Sequence, residues 1–237
     1  MIRRRALLAL LALGLLVGTL VWMPAAVVTP LLPQSTECGA LRGTVWNGDC
    51  VDLRVRGSRS GSLSWEMRFS LMNPAGLMVQ LRWVKDTSLA QGKLRNWPLG
   101  SATLDLEEVS IDLESLRNAL PADVLLGPLA GTSGRVESSG LRLEFEPGRL
   151  KAVHGEARFS QMTLLKTGAR IGPFLARFDG KSGALRDLGG PLGLTASIVL
   201  DDTGALKAKV RLDPRVEGVF PGLAAGRPLE ADVEGRF

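Results

Sequence analysis

The feature that most constrains the fold is the alternation of apolar and polar residues in many short segments. Residues 194–200 and 206–212 each place an apolar side chain at every second position. The turn-forming sequence Asp-Asp-Thr-Gly at 201–204 separates the two segments. This pattern is typical of a β-hairpin with one apolar face and one mainly polar face. The sequence therefore predicts a chain built mainly from antiparallel β-strands.

The same pattern recurs along most of the chain. A second hairpin is predicted from 141–145 and 150–159, around the turn sequence Glu-Pro-Gly-Arg at 146–149. The 28 Gly and 13 Pro residues are dispersed, which suits many strands joined by tight turns. The other predicted strands are 41–46, 49–56, 62–71, 77–84, 88–94, 102–109, 175–179 and 229–237.

One or two short helices should accompany the strands. Ser110 is a candidate N-cap, acidic residues follow it, and Pro121 is a stop signal. A second helical turn is predicted at 219–225. We expect a curved, half-open antiparallel sheet whose concave side is partly filled by side chains and by the first helix. The loop-like stretch 127–134 is a candidate boundary between two similar halves.

An unbroken apolar run follows the N-terminus. The basic residues Arg3–Arg5 precede residues 6–28, which contain no charge. About 20 apolar residues cross a hydrocarbon core as a helix, and flanking arginines stay in the cytoplasm. Pro24 should end this helix. We therefore predict a cytoplasmic stub and transmembrane anchor in residues 1–28. The β domain in residues 29–237 would be periplasmic, on a single-pass protein of the cell inner membrane.

A cleaved signal peptide is the alternative for this segment. Its apolar core is usually about 7–15 residues long, and Pro24 makes residues 23–26 a poor cleavage site. The anchor is therefore favoured. Gly14 and Gly18 form a small-xxx-small pattern that lets two membrane helices pack closely, although glycine at such spacing is also common by chance.

The chain has two cysteines, Cys38 and Cys50. Outside the cytoplasm such a pair points to a disulfide. Asn47-Gly48 is a strong turn signal, so the bridge should tie the chain entering the first strand to the second strand of a hairpin. Closing so short a loop contributes about 3 kcal/mol. A zinc site is disfavoured, because paired Cys-x-x-Cys units are absent and His154 is remote.

Catalysis has little support in the sequence. Gly-x-Gly, Gly-x-Ser-x-Gly and Ser-x-x-Lys motifs are absent. The single histidine, His154, lies in a strand-like segment. The adjacent acids Glu107 and Glu108 should point to opposite faces of a strand, so they form no carboxylate pair. Three of the five net positive charges belong to Arg3–Arg5, which leaves little for nucleic-acid binding. We predict a non-enzymatic protein without a cofactor.

Several motifs, taken in chain order, resemble one protein family. Met23-Pro24-Ala25 is similar to a Leu-Pro-Ala motif after the family's anchor. Residues 43–48 resemble the family signature Gly-Thr-aliphatic-Trp-Ser/Asn-Gly. Trp65 with Pro74, the Leu-Asp-Pro sequence at 212–214 and the final strand also fit. The family is the N component of the type II secretion system, general secretion pathway protein N (GspN). The signature and its partner residue are Gly43, Thr44, Val45, Trp46, Gly48 and Trp65.

The resemblance implies an accessory part of the inner-membrane platform that exports folded proteins across the outer membrane. Such a protein contacts other platform subunits or the secretin and has no catalytic residues. The glycines permit tight backbone geometry, and Trp46 supplies a large apolar anchor with one donor. If Trp46 is core, its truncation should cost about 3–5 kcal/mol. If it is a surface hot spot, partner binding should fall instead.

A second hypothesis is a periplasmic protein that handles lipids or lipoproteins in an apolar sheet groove. The groove would have to be continuous and apolar, whereas a docking domain needs an apolar edge or patch. A periplasmic hydrolase is disfavoured by the missing motifs.

Overall fold

The computed structural model describes residues 2–31, 35–69, 77–96, 100–119, 131–147, 149–165, 168–201, 205–214 and 229–236. Strands dominate these ranges, which confirms the mainly β prediction. The helical elements are α1 (Ile2–Val21), the 3-10 helix η1 (Ala25–Leu31) and α2 (Leu113–Ala119). The strands are β1 (Thr36–Gly43), β2 (Asn47–Val55), β3 (Ser58–Phe69), β4 (Leu77–Lys85), β5 (Ser88–Arg95), β6 (Ala102–Asp112), β7 (Thr132–Ser138), β8 (Leu141–Glu146), β9 (Arg149–Leu164), β10 (Phe174–Gly180), β11 (Ser182–Asp187), β12 (Leu192–Leu200), β13 (Ala205–Pro214) and β14 (Leu229–Arg236).

The 14 strands form one sheet that follows chain order from β1 to β14. All the pairs are antiparallel, as predicted. β7 and β8 lie end to end between β6 and β9, and so act as one interrupted strand. At the interruption, the backbone N–H of Gly140 donates to the carbonyl of Leu106 at 3.1 Å. Of the loop-like stretch predicted at 127–134, residues 127–130 lie outside the described ranges and residues 132–134 are strand, the start of β7. The boundary between two halves stays a prediction.

One face of the sheet is apolar across its width. Side chains alternate between faces along a strand, so residues that pair across strands share a face. The described pairs repeatedly match apolar with apolar residues. Examples from β3 to β13 are Leu63 with Trp83, Trp65 with Leu81, Leu104 with Leu143, Ala176 with Leu185, Ala196 with Val210 and Leu194 with Leu212. The opposite face carries most of the charged residues.

The deepest core lies beside α2, on the apolar face. Leu113, Met162, Ile171 and Phe174 form a buried cluster, each no more than 6% exposed. Six half-buried residues from five strands pack against this cluster. These residues are Val136, Phe159, Leu164, Leu185, Leu194 and Leu212. The curved, half-open shape of the sheet stays a prediction.

The short helix predicted after β6 is present, but it begins later than expected. The backbone N–H of Glu114 donates to Oδ1 of Asp112 at 2.8 Å, so Asp112 is the N-cap. Ser110 was the wrong residue for this role, because β6 continues past it and Ser110 pairs with Leu89. The second helical turn predicted at 219–225 lies outside the described residues.

Two strands were missed by the sequence patterns. β7 (TSGRVES) and β11 (SGALRD) are short and carry few large apolar residues, so their alternation is weak. Each predicted strand overlaps an observed one. The strand predicted at 41–46 is wrong at both ends, because β1 begins at Thr36 and ends at Gly43.

The N-terminal helix is shorter at its C-terminal end than the predicted span 6–28. α1 ends at Val21, and the chain then turns at Trp22 and forms η1. Pro24, which lacks an N–H and fits poorly inside a helix, follows this end closely. Within the described parts of the chain, no helix has both the length and the apolar character that a membrane span requires.

Candidate functional site

The signature residues form the tight turn between β1 and β2. Gly43 pairs with Gly48. The N–H of Thr44 donates to the Asn47 carbonyl at 2.8 Å, and the N–H of Asn47 donates to Oγ1 of Thr44 at 3.2 Å. Val45 and Trp46 are therefore the central turn residues. The turn predicted at Asn47-Gly48 was wrong, because the closing bonds of Thr44 place the turn earlier and leave Asn47 at the start of β2.

At both signature glycines, neighbouring atoms lie too close to leave room for a side chain. Gly43 has a φ of +84°, a left-handed conformation that side chains disfavour. A Cβ at Gly43 would lie 2.4 Å from the Asn47 carbonyl oxygen. A Cβ at Gly48 would lie 2.6 Å from Cζ2 of Trp65, the signature partner on β3. Trp65 also donates through Nε1 to the Val45 carbonyl at 2.9 Å, so it holds the turn from the neighbouring strand.

We expect Gly48→Ala to lower the free energy of unfolding by about 2 kcal/mol, the usual scale of overpacking. Thermal or urea unfolding of the purified chain measures this change. Gly131→Ala is the matched control, because a Cβ at Gly131 meets nothing within 4 Å. Equal stability of the two variants would contradict this account of the signature.

The same turn holds the C-terminal end of α1, and we call this contact the junction. Nε1 of Trp46 donates to the Leu20 carbonyl at 2.8 Å, and the N–H of Val45 donates to the Met23 carbonyl at 2.9 Å. Pro24 forms an isolated bridge with Thr44. The Leu20 carbonyl cannot receive the usual helical bond from position 24, because proline has no N–H. The N–H of Met23 donates to this carbonyl at 3.4 Å, and the indole of Trp46 supplies the second, shorter bond.

Trp46 is also held from the sheet side. Its carbonyl accepts from the N–H of Met67 at 2.6 Å, and the residue as a whole is half-buried. The structure therefore places Trp46 between helix and sheet rather than in the deep core. Sequence reasoning missed Leu20 and Met23 as its neighbours. The signal available was the position of Pro24, four residues after Leu20.

Trp46→Phe should keep an aromatic side chain while removing the indole donor and part of the ring area, a change that the control variant below shares. We expect a loss of about 1 kcal/mol in stability, typical of one hydrogen bond. We also expect faster hydrogen exchange at residues 20–24, measured by mass spectrometry. Trp83→Phe is the control, because it removes an indole donor inside the sheet, where Nε1 bonds the Ser60 carbonyl at 2.6 Å. Unchanged exchange at 20–24 in Trp46→Phe would contradict the junction.

The predicted disulfide between Cys38 and Cys50 is present. The Cα atoms are 5.7 Å apart, a normal separation for such a bridge. Cys50 lies in β2 and is 3% exposed. Cys38 lies within β1, so its predicted place before the first strand was wrong. The bridge therefore joins the two strands that carry the signature turn.

Gly14 and Gly18 lie on α1, four residues apart. A Cβ at either position would meet nothing within 4 Å, so this side of the helix is open. Their predicted role in packing against a second membrane helix stays a prediction.

The charged face is organised by ion pairs between strands. Asp105 on β6 lies between Arg95, at 3.0 Å, and Arg142, at 2.6 Å. The hydrogen bond from Arg142 to Asp105, together with their opposite charges, raises the pKa of Arg142. Glu107 contacts Lys93 and Glu108 bonds Gln91, two residues on the same face of β5. The prediction that the two acids point to opposite faces was wrong, because the pairing of β5 with β6 shifts by one residue at this position. Each acid nevertheless has its own partner.

His154 lies on β9, as predicted. Its Nδ1 accepts from the N–H of Gly180 at 3.3 Å, and its ring lies near the exposed acids Glu144 and Asp179. Across the residues that can be described, no group of three or more His, Cys, Asp or Glu side chains is arranged to hold a metal ion. The contacts described for His154 are therefore with neighbouring strand residues of the sheet.

Comparison with known proteins gives one family match. Residues 36–219 match the family described as type II secretion system (T2SS), protein N. The matched region includes the signature turn, the disulfide and most of the sheet. No curated protein and no solved structure shows a significant match. The match covers most of the 237 residues, and the chain therefore belongs to the type II secretion system protein N family.

Proposed function

We propose that this protein is an accessory inner-membrane component of the type II secretion system. It docks to other platform subunits or to the secretin while folded proteins are exported across the outer membrane. The junction is the observation that carries this proposal, because it fixes a large sheet to the end of an apolar helix. The role is non-enzymatic and needs no cofactor.

Membrane attachment is supported by the apolar surface of α1. Its large side chains from Leu10 to Trp22 are exposed, from 46% at Leu20 to 80% at Trp22. In the sequence no charge interrupts residues 6–28, and Arg3–Arg5 precede them. Such a surface is costly to leave in water and favourable in lipid. The described helices do not by themselves meet the requirements of a span, so the proposal rests on the sequence and on this exposure.

The retained anchor and its orientation are tested on protein extracted from membranes. Intact-mass measurement should find the full chain, and protease added to spheroplasts should degrade the sheet domain while leaving a cytoplasmic N-terminal tag. A mature form that begins near Ala26 would overturn the anchor. Protection of the sheet domain would overturn the topology.

Docking is tested by affinity purification of the full chain from detergent-solubilised membranes. Quantitative mass spectrometry should show enrichment of the secretin or of platform subunits over a bait in which residues 29–237 are removed. Deletion of the chain should reduce export of folded substrates. Absence of every secretion subunit, together with unchanged export, would overturn the proposed function.

The lipid-handling alternative is favoured by one observation, the apolar face of the sheet. It continues across the described strands, as a lipid groove requires. Leu104→Arg would place a charge on this face, and Thr103→Arg would place the same charge on the opposite face as a matched control. If lipid is bound, phospholipid should co-purify with the wild type and with Thr103→Arg, but not with a folded Leu104→Arg. Wild-type protein that carries phospholipid and no secretion subunit would favour this alternative.

A further inference from the structure

The two ends of the sheet differ in what they offer a partner. At the β1 end, residues 23–24 pair with residues 44–45 through the junction, so this end is joined to α1. At the other end, β14 pairs with β13, and no described strand pairs with its outer edge. An edge strand presents backbone donors and acceptors that an added strand can use.

The charges across β13 and β14 are complementary. Lys209 pairs with Asp232, and Arg211 pairs with Glu230, on the polar face. Nη1 of Arg211 lies 3.9 Å from the Glu230 carboxylate. Among the described residues, the cations that pair with Glu230 and Asp232 lie on the inner side of β14. The side chain of Glu230 is 77% exposed.

An interior strand of the same sheet shows how such an acid is satisfied. Asp105 has an arginine on each side, one from β5 and one from β8, and its side chain is 17% exposed. A strand added outside β14 would complete the same arrangement for Glu230 and Asp232 if it carried basic residues at alternate positions. Apolar residues between them would extend the apolar face past Leu229, which is 45% exposed.

We propose that the outer edge of β14 binds an extended segment of a partner subunit in which basic and apolar residues alternate. This inference deepens the docking function and rests on it. The β14 edge of a second copy of this chain does not fit as the occupant. Antiparallel pairing of two β14 strands about Ala231 would place Glu230 opposite Asp232 of the copy, and like charges directly opposite are destabilising.

The probe is a labelled peptide with the sequence of β13, ALKAKVRLDP. A control peptide has Glu in place of its three basic residues. Fluorescence anisotropy with the full chain in detergent measures both affinities. We expect the basic peptide to bind and the acidic peptide to bind at least about tenfold more weakly, with salt reducing the difference. Hydrogen exchange should show the peptide protecting residues 229–236.

Charge reversal supplies the matched variants. Glu230→Lys with Asp232→Lys should weaken the basic peptide about tenfold and allow the acidic peptide to bind. Glu37→Lys makes a similar reversal on β1, at the other end of the sheet, and should leave both affinities unchanged. Equal binding of the two peptides, no protection of β14, or the same loss in Glu37→Lys would overturn the inference. If peptide binding fails while secretion subunits still co-purify, the docking function stands and only this edge is wrong.

Discussion

Phe174→Ala is expected to lower the free energy of unfolding by about 3–5 kcal/mol, the cost of emptying a large buried site. Phe174 is 4% exposed and belongs to the cluster with Leu113, Met162 and Ile171. Its ring belongs to a cluster that residues from several strands pack against, so these strands cannot collapse freely into the space. Urea unfolding of the purified chain, followed by circular dichroism, measures the loss.

Leu175→Ala is the control for this prediction. Leu175 is the next residue on β10, points to the opposite face and is half-buried. Its truncation should cost less than half as much, because less apolar area leaves the interior. Similar losses at the two positions would mean that the apolar face is not the principal core of the described sheet.

Removal of the disulfide is expected to lower the free energy of unfolding by about 3 kcal/mol, because the unfolded chain gains conformational entropy without the bridge. The variant is Cys38→Ser with Cys50→Ser, compared by chemical unfolding with the oxidised wild type. Because the bridge joins the two strands of the signature turn, the junction should also loosen, which hydrogen exchange at residues 20–24 would report.

The reduced wild type provides an internal control. Dithiothreitol should lower the stability of the wild type to that of the double variant and leave the double variant unchanged. Non-reducing peptide mapping of protein extracted from membranes should find the bridge formed. Two free thiols in that preparation, or a double variant as stable as the oxidised wild type, would contradict the prediction.

Strand positions were predictable where alternation was strong. Residues 194–200 and 206–212 became β12 and β13, because their period of two sets which side chains reach the apolar face. β7 and β11 were missed since their pairing depends on neighbouring strands more than on their own composition. The cap of α2 is Asp112 rather than Ser110, because β6 continues two residues past Ser110. Its length is set by pairing with neighbouring strands, which the local pattern does not contain.

The candidate site was predictable in its residues but not in its contacts. The spacing of Gly43, Trp46 and Gly48 pointed to a constrained turn, and the disulfide followed from the two cysteines. The link from Trp46 to Leu20 joins residues 26 apart in sequence. No local pattern encodes such a contact. Only the missing N–H of Pro24 hinted that a helix carbonyl near it needs an outside donor.

The chain-order sheet has a consequence for how the molecule forms. Because each strand pairs with strands close to it in sequence, few long loops must close before contacts are made, and loop closure is the slow step in most β proteins. β1 and β2, secured by the disulfide and the junction, provide a template for β3, and each later strand adds to an edge already present. A chain whose N-terminal strands are released before its C-terminal strands can therefore assemble progressively, because each new strand pairs with the edge left by the strand before it.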